Sequence, residues 1–151
     1  MSVNDADQDT ILAILRDSQD IAVVGLSEDP DRPSYGVAQY LKSKGYHIIP
    51  VNPRLEEVLG ERAYPDLLSI PGPVDVVDIF RRPDAVPDIV EQAIQIKAKA
   101  IWMQEGVSNE QAAEKARAAG LLVVSDRCMQ KEHRRLVREG LLTNDTPNPA
   151  T

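Results

Sequence analysis

Short apolar runs alternate with amphipathic segments along nearly the whole chain, and this alternation limits the possible folds more than any other feature of the sequence. The runs are rich in Val and Ile and show no regular polar alternation, which is typical of parallel strands buried on both faces. Asp75 and Asp78 interrupt one run without removing its preference for a strand. Strands are predicted at residues 21–26, 47–51, 74–80, 101–104 and 121–125.

Helices are predicted where apolar residues recur at intervals of three and four, most clearly at residues 86–94. The irregular stretch 55–72 indicates a turn of helix at 55–59 and an edge strand at 62–64. Because right-handed crossovers join parallel strands, the chain is predicted to form a single doubly wound, Rossmann-like α/β domain, with a mostly parallel sheet and helices on both faces. The other predicted helices are a leading helix that starts at Asp9 or Thr10, a crossover helix that starts at Ser34 and has its apolar pattern from Val37 to Lys44, an alanine-rich helix with a capping box from Ser108 to Gln111, and a charged helix from Met129 to Arg138.

Length and charge limit the classes of protein that fit. The 151 residues suit one domain, which we place at residues 9–140, with a flexible N-terminus at 1–8 and a disordered tail at 141–151. The 17 Lys and Arg residues against 24 Asp and Glu give a net charge of −7, which disfavours nucleic acid and anionic membranes as partners.

One cysteine excludes an internal disulfide or a thiolate zinc site. The polar, acidic N-terminal sequence is unlike a signal peptide, and no apolar run approaches the roughly 20 residues of a membrane span, so we expect a cytoplasmic protein.

The predicted topology also places the ligand-binding edge. In doubly wound sheets, ligands bind at the carboxyl ends of the strands where the strand order reverses, here between the loops that follow Leu26 and Phe80. The first of these loops leads into a helix, whose free N–H groups and positive dipole end can hold a phosphate. The candidate residues in this loop are Gly25, Leu26, Ser27, Arg32, Pro33, Ser34, Tyr35 and Gly36.

The glycines of this loop allow two interpretations. Gly25 permits close approach of another backbone, Gly36 lets a ligand near the first helical turn, and Ser34 can cap the helix or donate to a ligand. Alternatively, the glycines only pack the helix against the sheet. Their spacing is not the dinucleotide fingerprint, and the second strand ends in Asn52 rather than the Asp or Glu that receives a ribose hydroxyl, so a standard NAD site is absent.

Two further groups of candidates follow the second and third strands. The segment Asn52-Pro53-Arg54 can seat an adenosine ribose that carries an extra phosphate, and the alternative is that Arg54 is only a solvated side chain after a turn. The segment Phe80-Arg81-Arg82 lies at the switch point, where arginines can meet a pyrophosphate or the carboxylates of a partner. One of these two arginines is expected to be an ordinary surface charge.

Candidates for catalysis are few. His47 is expected to be half-buried at the start of a strand, and His133 is expected to be exposed on a charged helix. Neither has a recognisable Ser, Cys or metal partner. Cys128 follows Arg127, which can lower the pKa of the thiol, and the alternative is a plain buried thiol. We therefore predict no catalytic and no metal-ligating residue.

An ordered set of motifs spans nearly the whole chain. The motifs are IAVVG at 21–25, RPS at 32–34, PVNP at 50–53, VDVVDIFR at 74–81, IWMQEGV at 101–107 and DRC at 126–128. In this order they resemble the small stand-alone CoA-binding protein family, which is similar to the CoA-binding domain of the succinyl-CoA synthetase alpha subunit. The resemblance covers about residues 8–138, and PVNP and DRC are its most specific parts.

The resemblance implies coenzyme A or an acyl-CoA as the ligand. It implies that the loop from Gly25 to Gly36 takes the CoA phosphates, that Asn52-Pro53-Arg54 lies near the 3′-phosphoadenosine, and that Phe80-Arg81 borders the pantetheine path. Gln104, in the motif at 101–107, is a further candidate contact with the ligand.

The same comparison implies a binding protein rather than an enzyme. The synthetase needs a phosphorylatable histidine on a further domain, and we expect no such domain in 151 residues. Two other classes stay open: an NAD(P)-binding oxidoreductase-like protein, and a Rossmann-like interaction module without a ligand. Co-purified nucleotide would discriminate among the three. A homodimer also stays open.

Overall fold

The computed structural model describes residues 3–144, with side chains from Gln8 onward. Five parallel strands form the central sheet in the order β2, β1, β5, β6, β7. The order reverses at β1, which has β2 on one side and β5 on the other, so the doubly wound Rossmann-like fold is confirmed. The strands are β1 (Asp20–Val24), β2 (His47–Val51), β3 (Glu57–Val58), β4 (Glu61–Arg62), β5 (Val76–Ile79), β6 (Ala100–Met103) and β7 (Leu122–Val124).

Helices cover both faces of this sheet. Residues of α3 and α4 join one apolar cluster, and residues of α1, α2 and α5 join the other. Short 3₁₀ turns lie at Leu67–Ser69 and Pro83–Ala85. The helices are α1 (Val3–Asp17), α2 (Pro33–Ser43), α3 (Val86–Gln95), α4 (Glu110–Ala118) and α5 (Met129–Arg138).

The central strands are buried on both faces, which explains their continuous apolar sequences. In β5, Val77 packs into the cluster under α3 and α4, whereas its neighbour Val76 packs into the cluster under α1, α2 and α5. Both side chains are fully buried. Each such side chain contributes roughly 1.5–3 kcal/mol by leaving water, so the sheet is the main source of stability.

Two predicted starts of elements were wrong. The leading helix α1 begins at Val3, not at Asp9 or Thr10. Helix α2 begins at Pro33, next to the predicted start at Ser34, and proline fits the first turn of a helix, where its missing N–H is not needed. In α4, Asn109 rather than Ser108 is the cap, and its Oδ1 accepts from the Ala112 amide at 3.0 Å.

The stretch after β2 forms a hairpin instead of the predicted turn of helix at 55–59. Strands β3 and β4 pair antiparallel, and the turn between them uses positive φ at Leu59 (56°) and Gly60 (76°). Two consecutive positive φ angles are typical of the tight turns that join antiparallel strands. The edge strand predicted at 62–64 is reduced to β4 and one parallel bridge between Tyr64 and Val51.

The chain termini lie partly outside the described residues. Residues 1, 2 and 145–151 are outside them, so the flexible N-terminus and the disordered tail stay predictions there. Leu142, which we had assigned to the tail, is buried against the cluster under α1, α2 and α5. Within residues 3–144, no helix has both the length and the apolar character needed to cross a membrane.

Candidate functional site

The switch point is built around Gly25, where β1 ends and the chain turns. The Gly25 amide donates to the Val51 carbonyl at 2.9 Å, and the Phe80 amide donates to the Val24 carbonyl at 2.9 Å. Gly25 has φ +88°, and a Cβ placed on it would lie 2.5 Å from the Phe80 carbonyl oxygen. The loops after β1 and β5 therefore approach as closely as predicted, and only glycine fits between them.

The loop between Gly25 and α2 is held by its own side chains. The Ser27 amide donates to Ser34 Oγ at 3.0 Å, and Ser34 is buried. Ser34 thus closes the loop and does not cap the helix, which is a correction to its predicted role. Arg32 is the N-cap, and its side chain makes no capping hydrogen bond. The first turn of α2 also carries no acidic residue, so its positive end is left for an anion.

Space is open beside this helix start. A Cβ placed on Gly36 would meet nothing within 4 Å, and Arg32 and Pro33 are exposed. Two other loop candidates differ: Leu26 is fully buried in the core, and Tyr35 packs partly against it. Leu26 can therefore face a ligand only with its backbone, and Tyr35 only with its backbone or an edge of its ring.

The end of β2 is fixed by Asn52. Its Nδ2 donates to the Leu26 carbonyl at 3.0 Å, and its Oδ1 accepts from the Arg54 amide at 2.9 Å. Asn52 therefore ties the end of β2 to the loop after β1. Pro53 and the Arg54 side chain are exposed at this edge of the sheet.

A cleft of about 540 Å³ lies between the start of α2 and the ends of β5 and β6. It brings together four predicted residues: Pro33, Phe80, Arg81 and Gln104. Most of the rest of the lining carries no predicted site role, because the sequence indicates a ligand between the first and third strands, with Gln104 as the one candidate after β6. These further lining residues are Val37, Arg82, Pro83, Glu105, Gly106, Val107 and Cys128.

A smaller cavity of about 210 Å³ lies on the opposite side of Arg81. Its apolar walls come from the ends of β1 and β2 and from α3, and Arg81 lines both cavities. The walls include Val24, Val51, Leu67 and Ile89, with Asp66, Asp88 and Gln92 as polar neighbours. Arg81 is thus shared by two cavities at the carboxyl edge of the sheet.

Asp78 is a buried polar residue beneath the cleft that the sequence analysis had treated only as an interruption of a strand. It is fully buried in β5, and Gln104 Nε2 donates to its Oδ1 at 2.6 Å. Its Oδ2 has no hydrogen-bond partner. Burial raises the pKa of this carboxyl to about 7, although the hydrogen bond from Gln104 opposes the shift.

The DRC motif shapes the far wall of the cleft. Asp126 Oδ1 accepts from the Gly106 amide at 2.7 Å, and Trp102 Nε1 donates to the Arg127 carbonyl at 2.9 Å. Cys128 is the N-cap residue of α5 and is partly exposed at the cleft. The motif therefore joins the loop after β6 to the start of α5.

The two histidines lie away from the cleft lining. His47 is exposed, not half-buried, and its Nδ1 lies 2.9 Å from Asp20 Oδ1 at the amino edge of the sheet. His133 is fully buried, so its predicted exposure was wrong. Its Nδ1 lies 2.8 Å from the Tyr40 hydroxyl, and burial lowers its pKa to about 4. The spacing of His133 between Met129 and Leu136, at i, i+4 and i+7, was the sequence signal for its buried position.

The strand order defines a Rossmann-like α/β domain, and the open helix start and both cavities lie at the carboxyl edge of its sheet, at the switch point. The chain belongs to the CoA binding domain family, which matches residues 19–134. The resemblance seen in the sequence is thereby confirmed.

Known proteins of similar size match nearly the whole chain. The uncharacterized protein YneT of Bacillus subtilis (strain 168) is 42% identical over 123 residues, which cover 82% of this chain and 91% of YneT. The structure of a hypothetical protein from Pyrococcus horikoshii OT3 matches with a TM-score of 0.82 and 44% identity, covering 87% of this chain and 92% of that one.

The ADP-forming acetate–CoA ligase II of Archaeoglobus fulgidus is 32% identical over 93 residues, which are 60% of this chain and 14% of the ligase. The chain therefore corresponds to one part of that larger enzyme.

Proposed function

We propose that this protein binds coenzyme A or an acyl-CoA along the carboxyl edge of its sheet and does not itself form the thioester. The observation that carries this proposal is the start of α2, which has no side-chain cap, has open space at Gly36 and contributes Pro33 to the lining of the large cleft. Membership of the CoA binding domain family supports the choice of ligand. We place the protein in the cytoplasm as part of the same proposal.

The order of the strands suggests how the ligand lies. Arg54 follows β2, the loop from Gly25 follows β1, Phe80 follows β5 and Gln104 follows β6. An extended ligand that crosses these ends in order would place its adenosine near Arg54, its pyrophosphate at α2, its pantetheine beside Phe80 and its thiol end near Gln104. Arg81, between the two cavities, is placed to meet the pyrophosphate.

Three acidic residues lie in the loop before α2: Glu28, Asp29 and Asp31. Asp29 Oδ1 accepts from the Asp31 amide at 2.9 Å, so one carboxylate is engaged by the loop's own backbone. The Arg32 amide also donates to the Asp29 carbonyl at 3.0 Å. These bonds give the loop a fixed shape before α2.

The end of β2 supports CoA over NAD. A site for NAD usually places a carboxylate here for the ribose hydroxyl, whereas this strand ends in an amide. Both ends of the Asn52 amide are also engaged, by Leu26 and by Arg54. Arg54 is exposed beside it, and its guanidinium binds a phosphate more strongly than a ribose hydroxyl.

Substitution of Gly36 by leucine is expected to weaken CoA binding at least tenfold and to stabilise the free protein. The leucine side chain would occupy the open space at the first turn of α2, where the phosphates are proposed to lie. Glycine is roughly 0.8–1 kcal/mol less favourable in a helix than alanine, and leucine is close to alanine, so the free variant should unfold at higher urea concentration. Gln39→Leu, on an exposed position of the same helix, is the control and should bind CoA as the wild type does. Equal binding by Gly36→Leu and wild type would contradict the placement of the phosphates.

Substitution of Arg54 by alanine is expected to remove most of the preference for CoA over dephospho-CoA. A charge-assisted hydrogen bond to the 3′-phosphate contributes roughly 1.5–3 kcal/mol, so the wild type should prefer CoA about ten- to a hundredfold. The variant should bind dephospho-CoA nearly as the wild type does. Arg117→Ala, an exposed charge at the end of α4, is the control for a general loss of positive charge. If Arg54→Ala weakens both ligands equally, the 3′-phosphate lies elsewhere.

No turnover is expected with CoA. The two histidines lie away from the cleft lining, one in the core and one at the amino edge of the sheet. Among the side chains that the structure describes, from Gln8 to Asn144, no group of three His, Cys, Asp or Glu residues is arranged to hold a metal ion. Incubation with CoA, acetate or succinate, ATP and Mg²⁺ should therefore yield no thioester beyond a protein-free control. Thioester formation that depends on this chain would refute a purely binding role.

A further inference from the structure

The carboxyl of Asp78 is an unusual group for the centre of this sheet. In register it lies between Val23 of β1 and Trp102 of β6, and it is fully buried. Its Oδ1 accepts from Gln104, whereas its Oδ2 is left without a partner. A buried acceptor without a partner costs stability, and a valine would fill a central strand without that cost. Such unsatisfied buried groups are typical of functional sites, which keep a polar side chain for its chemistry although it lowers stability.

Gln104 connects this buried carboxyl to the ligand cleft. The residue is itself almost fully buried, yet it lines the cleft beside Phe80 and Cys128. A glutamine amide has a donating end and an accepting end, and only one of them can meet Asp78. The other end is left for the cleft.

The protonation state of Asp78 determines which orientations of the Gln104 amide it can bond. An ionised carboxylate only accepts, so it takes the Nε2 hydrogen of Gln104 and leaves the amide oxygen for the cleft. A neutral carboxyl carries an O–H that can donate to Gln104 Oε1, which requires the amide to turn over. The NH₂ group then faces the cleft as a donor.

The two orientations suit different ligands. A thioester carbonyl only accepts hydrogen bonds, whereas a free thiol is a weak donor. An NH₂ group at the cleft would therefore bind the carbonyl of an acyl-CoA, and an amide oxygen there would repel it.

We propose that Asp78 is a positioning residue that acts through Gln104 to make the cleft distinguish acyl-CoA from free CoA. This inference rests on the proposed function, which places the thiol end of the ligand at the end of β6. The neutral state of Asp78 favours the acyl ligand, and the ionised state favours the free thiol.

Both states of Asp78 are populated near neutral pH, since burial raises its pKa to about 7. The pKa of His133 is lowered to about 4, so this histidine stays neutral throughout the range from pH 5.5 to 8. The described titratable or charged residues that pack with the apolar cluster on this face of β5 or line the cleft are Tyr35 and Tyr40 of α2, Tyr46 before β2, Cys128 and His133 at α5, Arg81 and Arg82 after β5, and Glu105 after β6.

The test is the affinity for acetyl-CoA divided by the affinity for CoA, measured by calorimetry at pH 5.5 and at pH 8. The two ligands carry the same phosphates, so titration of the phosphates cancels in this ratio. In the wild type the ratio should be about tenfold higher at pH 5.5 than at pH 8, which is the effect of one hydrogen bond. In Asp78→Asn, which has nearly the same shape and does not titrate, the ratio should be the same at both pH values.

Gln104→Leu provides a second variant, because it removes the amide and leaves Asp78 in place. Its ratio should also be independent of pH. A constant ratio in the wild type, or a pH-dependent ratio that persists in either variant, overturns the proposal while CoA binding stands. Failure of both ligands to bind the wild type contradicts the proposed function and overturns this proposal with it.

Discussion

Replacing Gly25 with alanine is expected to destabilise the protein by roughly 2–5 kcal/mol, the sum of backbone strain and steric overlap. Gly25 has φ +88°, a region that costs an L-residue about 1–2 kcal/mol. The added Cβ would also lie 2.5 Å from the Phe80 carbonyl oxygen, which belongs to the backbone and cannot move without displacing the end of β5. The free energy of unfolding, measured with urea, should fall accordingly.

The chain offers a matched control for this substitution. Gly120 has φ +94°, but a Cβ placed there would meet nothing within 4 Å. Gly120→Ala should therefore show only the backbone cost of about 1–2 kcal/mol. Equal losses of stability in the two variants would show that the close approach of the loops at Gly25 does not contribute.

The second large effect is expected for Asp78→Asn, as a change in how stability depends on pH. The ordinary pKa of this carboxyl is 3.8, and burial raises it to about 7 in the folded protein. Between these values the folded protein keeps a proton that the unfolded chain has released, so the stability of the wild type falls as pH rises through this range. The full difference corresponds to roughly 4 kcal/mol above pH 7. Because asparagine does not titrate, the stability of the variant does not fall in this way as pH rises.

The measurement compares the free energies of unfolding of variant and wild type at pH 4 and at pH 8. The free energy of unfolding of the variant minus that of the wild type should rise by roughly 2–4 kcal/mol from pH 4 to pH 8. His133 has the opposite effect on stability, because its lowered pKa makes the fold less stable as pH falls. It is present in both proteins, so its contribution cancels in the difference. A difference that does not change with pH would mean that Asp78 has an ordinary pKa.

The arrangement of the sheet was predictable because periodicity reports burial directly. The uninterrupted Val and Ile runs of β1 and β5 required cover on both faces, and right-handed crossovers then left few possible topologies. The close approach at Gly25 followed from the same reasoning. The course of the chain from 55 to 62 was not predictable, because its turn uses Leu59-Gly60 rather than a typical turn pair.

The candidate site was predictable in position but not in its interior. Residues 25–36 and Phe80-Arg81 could be chosen as candidates because a switch point follows from strand order, and Pro33, Phe80 and Arg81 among them line the cleft. The bond from Gln104 to Asp78 joins residues 26 apart in sequence, and the engagement of Ser34 by the Ser27 amide depends on the path of the loop. Periodicity shows which face a residue occupies but does not identify its hydrogen-bond partner. Such contacts between particular side chains needed the structure.

Calorimetric titration of the purified protein with CoA and with NAD tests the proposed function most directly. Both ligands carry an adenosine and a pyrophosphate, so they differ in the parts for which Arg54 and the cleft at Phe80 are proposed. The account predicts one CoA bound per chain and an affinity for CoA at least tenfold higher than for NAD, which corresponds to about 1.4 kcal/mol. Equal or tighter binding of NAD, or no heat of binding with CoA or acetyl-CoA, would contradict it.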